Sequence, residues 1–266
     1  MHGGCSIVYN EGERKNLSPL GRTLPSSLRT LKLGGADDSV ETAGLPLYYH
    51  WLRTGIPPTL LSLSIHTVDI DWEDSVTHPD PDIEPLLRRC AGLQCLHFGF
   101  DAGSVFDSAT AFYDLSVLLH LKHLIVSIRN LEPGDHDSLL LDLIRKMFST
   151  ISSPSLITNV FNVSAIGFRV LKERWDAFDV LLATAKFATV QVELTIPFSD
   201  STLRDGTSEE DLSRARQVFP RCDKKGRLSI TRAPFTVKAK DFDGSEDSRD
   251  FQDYDVINWV CGKYFV

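Results

Sequence analysis

The chain is poor in cysteine, with 5 in 266 residues, and has only two methionines. Cys5, Cys90, Cys95, Cys222 and Cys261 are odd in number and form no CxxC pair, so free thiols are expected rather than a disulfide framework or a zinc module. Long hydrophobic runs are also missing. The longest, Leu115 to Val126 and Leu139 to Ile144, are broken by charged residues or histidine and fall short of the roughly 20 apolar residues that cross a bilayer. Met1 to Ser6 has no basic region followed by an apolar core, so an intracellular chain is expected, cytoplasmic or nuclear, with no membrane contact. The sequons at Asn16 and Asn162 then carry no glycan. A basic excess is lacking too: 28 Lys and Arg stand against 36 Asp and Glu, a net charge of -8, which argues against nucleic-acid binding. No GxxxxGK[ST], GxGxxG, GxSxG or HExxH occurs, so no cofactor is expected and the chain is read as a non-enzyme.

What is present is a repeat. Leu24-Pro25-Ser26-Ser27-Leu28-Arg29-Thr30-Leu31-Lys32-Leu33 returns 32 residues later as Ile56-Pro57-Pro58-Thr59-Leu60-Leu61-Ser62-Leu63-Ser64-Ile65. Its LxxLxL half continues at Leu93, Leu96, Phe98 and at Leu121, Leu124, Val126. A degenerate copy is expected near Ile157 and Val160, then Phe187, Val190, Val192, and a last one at Leu228 and Ile230 with Lys225 in the first leucine's place. First positions therefore fall at 28, 60, 93, 121, 157, 187 and 225. Three apolar residues at fixed offsets arise by chance roughly 19 times in a chain of this composition, so the motif alone decides nothing.

The weight comes from near-regular spacing and from helix signals between copies. Ile83, Leu86, Leu87 and Cys90 make one helical stripe, Phe178, Leu181, Leu182 and Ala185 another, and Leu140, Leu143, Ile144, Met147 and Phe148 a third. Helix starts are marked by Asp80 before Pro81 and by Thr207 with Glu210. Val190, Val192, Leu194 and Ile196 alternate with Gln191, Glu193 and Thr195, so one strand face is apolar. Units of 28 to 38 residues cannot bury their own apolar face and must stack. The expected fold is α/β, an irregular solenoid with a parallel sheet and helices on the outer face.

These residues resemble the leucine-rich repeats, specifically the long irregular repeats of fungal F-box and leucine-rich-repeat proteins. The resemblance covers about residues 20 to 232. It departs from that family in two places. The asparagine that closes the standard LxxLxLxxN is replaced by Ala36, Val68, Asp101, Arg129, Thr195 and Ala233. The first repeat is expected to begin at Leu24, so no helical F-box is expected ahead of it. The resemblance implies one domain over 1-266, with repeats over about 24-232 and an acidic arm and C-terminal cap over about 239-266. It further implies a monomeric, non-catalytic protein-interaction module like the recognition region of a ubiquitin-ligase receptor, with ubiquitin-ligase components as partners in a longer product. A passive or degenerate repeat scaffold and an α/β enzyme with a dispersed site are the alternatives.

Other clusters have plainer explanations. His120 and His123 straddle a helix-to-strand junction, Asp135-His136-Asp137 leads into a helix and reads as capping, and Cys90 and Cys95 read as small apolar packing groups. Gly34-Gly35 lacks the rest of a phosphate loop, and Asp69, Asp71, Glu73 and Asp74 read as a solvated loop. The outward strand positions of a stacked repeat align into one surface, and its protein- or peptide-binding candidates are Lys32, Ser64, His66, His97, His123, Ser127, Arg129, Gln191 and Glu193. The plain alternative is that these line the wet side of a sheet.

Overall fold

A computed structural model describes residues 4–6, 28–33, 59–66, 83–101, 113–129, 135–163, 172–197, 213 and 216–233. The strands are β1 Gly4–Ser6, β2 Thr30–Leu33, β3 Ser62–His66, β4 Cys95–Asp101, β5 His123–Arg129, β6 Thr158–Val163, β7 Gln191–Pro197 and β8 Leu228–Ala233. They form one eight-stranded sheet whose order is the chain order, and every neighbouring pair is parallel. The helices between them are α1 Ile83–Arg89, α2 Asp135–Thr150, α3 Lys172–Leu182 and α4 Pro220–Lys224. Among the described residues no helix is long and apolar enough to cross a membrane.

The leucine positions are the sheet's register. Leu31, Leu63, Leu96 and Leu124 are successive cross-strand partners, as are Ile65, Phe98 and Val126. All seven are buried against the stripes of α1, α2 and α3 in one apolar cluster, which is why a period of two in the strands and 3.6 in the helices coexist here. Phe161 of β6 is the hub of its aromatic part, with Phe148 at 5.3 Å, Phe178 at 5.6 Å and Trp175 and Phe219 each at 5.7 Å between ring centroids. Each such ring withdraws on the order of 2 kcal/mol of apolar surface from water.

A second device repeats at the strand starts. The carbonyl of Arg29 accepts the amides of both Leu61 and Ser62, Leu61 those of Gln94 and Cys95, Gln94 those of Lys122 and His123, and Lys122 those of Ile157 and Thr158. Four successive units thus enter the sheet by the same backbone geometry. The first positions Leu28, Leu60, Leu93, Leu121 and Phe187 are buried as expected.

Two sequence expectations are corrected. In the fifth copy β6 pairs Leu124 with Asn159 and Val126 with Phe161, so the motif is Leu156, Asn159, Phe161, one residue earlier than Ile157 and Val160. Leu156 is buried, whereas Ile157 is 50% exposed. The sheet also starts earlier than residue 24, because β1 pairs with β2. The Asp80 and Thr207 helix starts, Gly34-Gly35, the Asp69 to Asp74 stretch and the 239-266 arm and cap lie outside the described residues.

Candidate functional site

The face opposite the leucine rows carries the polar positions, and the register sets them in rows. Lys32, Ser64, His97, Ile125, Val160, Glu193 and Ser229 are successive partners, and so are His66, Gly99, Ser127, Asn162, Thr195 and Thr231. Eight of the nine candidates fall in these two rows or at strand starts on the same face, His123 and Gln191 being strand-start positions. Arg129 is at the far end of β5, opposite Asp101. The side chains of Lys32, His66 and Arg129 lie outside the described residues.

In the middle strands these rows are buried rather than open and wet. Ser64 and His97 are 0% exposed, Ser127 2% and Glu193 6%. Ile125 and Val160 are buried on the same face, so the middle strands are covered on both sides, as parallel sheets usually are. Among the described side chains, the accessible candidates stand at strand starts: Gln191 is exposed and His123 half-buried.

Burial forces the polar atoms to satisfy one another. Ser64 Oγ is 2.9 Å from His97 Nδ1, and His97 Nε2 is 2.9 Å from Ser127 Oγ. Asn162 Nδ2 donates to Ser127 Oγ at 3.2 Å, and Thr231 Oγ1 donates to Glu193 Oε1 at 3.2 Å. A neutral imidazole needs one donor and one acceptor partner, and a hydroxyl on each side serves either tautomer. Four strands are tied by this chain, β3 through β6. A serine beside a histidine is the beginning of a nucleophile and base, yet neither side chain is open to a substrate in this arrangement. Among the described residues no group of three or more His, Cys, Asp or Glu could hold a metal ion.

Histidine 123 is held below its ordinary pKa near 6.5, first by burial and then by the Lys122 charge. His120 near it in sequence is exposed. Burial pushes the Cys90 thiol up to about 12, and burial with the hydrogen bond and charge of Asp179 does the same for Cys222. Cys90 and Cys95 are both buried packing groups, as the sequence implies.

Sequence reasoning missed two sets of residues. Thr158 and Asn162 belong to the polar face but were hidden by the one-residue register error in β6. Arg227 is 5% exposed and donates from Nη1 to the carbonyls of Phe187 and Val190 and from Nη2 to that of Leu182 at 3.0 Å. Lys225 donates to the Ala183 carbonyl at 2.9 Å. Both cations meet carbonyls at and just past the α3 C-terminus, where positive charge is favoured. The signal was available: one basic residue immediately before a strand and another three before it, following a unit that ends in a helix.

Compared with known proteins, the chain matches no protein-family model, no curated protein and no solved structure.

Proposed function

We propose that this chain is a stacked leucine-rich-repeat-like solenoid acting as a non-catalytic protein-interaction module, of the kind that serves as the recognition region of an F-box ubiquitin-ligase receptor inside the cell. The observation that carries the reading is the strictly sequential parallel sheet, in which repeat positions pair residue for residue across neighbouring strands. A sheet of this order grows one unit at a time and leaves a long edge of equivalent positions, the geometry that repeat proteins use for partners. The chemistry supports it too, because the buried polar row ties strands together and leaves recognition to accessible strand-start residues such as Gln191 and His123.

Position-specific photo-crosslinking in cells tests the reading. A photoreactive residue at Gln191 should yield a discrete protein adduct, and one at Val180, exposed on the outer side of α3, should not. No adduct from Gln191, or the same adducts from both positions, contradicts it.

A further inference from the structure

The end of the sheet at which strands start is rich in cations, with Asp114 and Asp223 as carboxylates near them. Arg88 and Arg89 close α1, Lys122 immediately precedes β5, Lys186 lies ahead of β7, and Lys224 and Lys225 end α4 just before β8. Arg88 is tied to Glu84 at 2.6 Å, and Asp223 to Arg216 at 3.5 Å. No ion pair to a carboxylate is formed by Arg89, Lys122, Lys186, Lys224 or Lys225 among the described residues. Lys186 and Lys225 reach carbonyls of the preceding unit, Ser149 at 2.6 Å and Ala183 at 2.9 Å, and helix ends favour such cations. That accounts for charge at each helix end and for nothing else on this rim.

Two large apolar side chains share the rim without cover. Leu119 is 53% exposed and Ile157 50%, and with Val180 they are the exposed large hydrophobics among the described residues. Leu119 and Ile157 belong to adjacent connections stitched together: Ser153 Oγ donates to the carbonyls of Leu119 at 3.0 Å and Leu121 at 2.7 Å, and the Ile157 amide donates to Lys122 at 2.8 Å. The Lys122 backbone therefore shares a fixed frame with these two exposed aliphatic residues. An exposed aliphatic pair beside cations that form no ion pair among the described residues is the composition of an interaction patch rather than of a neutral surface.

We infer that this strand-start rim docks an acidic protein segment that carries apolar side chains. Carboxylates answer the unpaired cations, and aliphatic or aromatic side chains cover Leu119 and Ile157. A nucleic acid fits less well, because aliphatic side chains give bases no stacking platform. The rim adjoins Gln191, whose amide donates to the Ile157 carbonyl at 2.8 Å, so this inference rests on the proposed recognition role and names the partner's chemistry; an adduct at Gln191 without saturable copolymer binding overturns this inference alone.

The test is a fluorescence titration of the full chain with a labelled random copolymer of glutamate and tyrosine, with a single-stranded DNA oligonucleotide alongside. Saturable copolymer binding is expected, weakening as salt rises from about 0.05 to about 0.3 M. The triple variant Arg89→Glu, Lys122→Glu, Lys224→Glu should weaken it by about tenfold or more, and Leu119→Ser with Ile157→Ser should weaken it at constant salt dependence. Arg174→Glu with Val180→Ser, on the helical side, should bind as the parent does. Thermal melting of each variant shows whether the fold is kept, and none of the three reversed cations makes a hydrogen bond within the described residues that the fold relies on. No saturable binding, equal binding by the folded triple variant, or equally tight binding of the oligonucleotide overturns the inference.

Discussion

The Asp179 carboxylate of α3 receives the backbone amides of Arg221 at 2.8 Å and Cys222 at 3.0 Å, the first two amides of α4. Pro220 opens that helix and has no amide to satisfy, while Phe219 offers no capping side chain. Asp179 supplies the missing cap from 42 residues away, fully buried, with Arg221 Nη1 at 3.2 Å as a further partner. Replacing Asp179 by Ala should cost about 2–4 kcal/mol, since buried donors lose a charged acceptor. Asp179→Asn should recover part of the loss, because one oxygen still accepts. Urea unfolding measures both; a loss below about 1 kcal/mol for Asp179→Ala means the cap is dispensable.

Asn159 occupies a leucine slot between Leu124 and Val192, is 0% exposed, and neither its amide nitrogen nor its oxygen meets a hydrogen-bond partner among the described residues. A buried unsatisfied amide costs on the order of 1–3 kcal/mol. Asn159→Leu should therefore stabilise the chain by a similar amount and raise its melting temperature by several degrees. Destabilisation by both Asn159→Leu and Asn159→Ala would show that the amide is satisfied after all.

That residue also marks where the sequence could and could not be read. The rows through Leu63, Leu96 and Leu124 were legible because leucine recurs at fixed offsets on strands bounded by helical stripes. The β6 copy slipped by one because Asn159 broke the leucine row while Ile157 and Val160 offered an apolar decoy. A three-residue strand such as β1 carries too few positions to show a period. Alternation told which strand face is polar, but not that Ser64, His97 and Ser127 are covered; whether a face is wet depends on what packs over it, which local pattern does not encode. Arg227 was legible as a polar-face position by chemistry alone, and only the fold turned its guanidinium inward onto carbonyls.

The thiols of Cys90 and Cys222, held at about 12, should resist alkylation in the native chain. At pH 8 only about one in 10⁴ is thiolate, and burial blocks the rest. Iodoacetamide followed by peptide mass spectrometry should leave both unmodified in buffer and label both in urea. Rapid labelling of either in buffer would place it on the surface.

His123 gives a pH signature with a defined sign. Its folded pKa lies below the ordinary value near 6.5, so between the two values the unfolded chain binds more protons. Stability is complete above about pH 6.5 and falls as pH drops toward the folded value. Urea midpoints between about pH 7.5 and pH 5.5 should decline less in His123→Gln than in the parent. Equal declines would remove the burial and Lys122 account of this histidine.

The strand order underlies every part of this account: one unit per strand, laid down in chain order across an open sheet. Spin labels at Arg29 paired in turn with Ile157, Gln191 and Lys225 span β2 to the starts of β6, β7 and β8. With strands about 4.8 Å apart, pulsed dipolar distances should rise in that order, near 19, 24 and 29 Å before side-chain and curvature corrections, as a rough guide. A rising series supports sequential stacking. A Lys225 distance shorter than the Ile157 distance would contradict it, because the last unit would then lie beside the first.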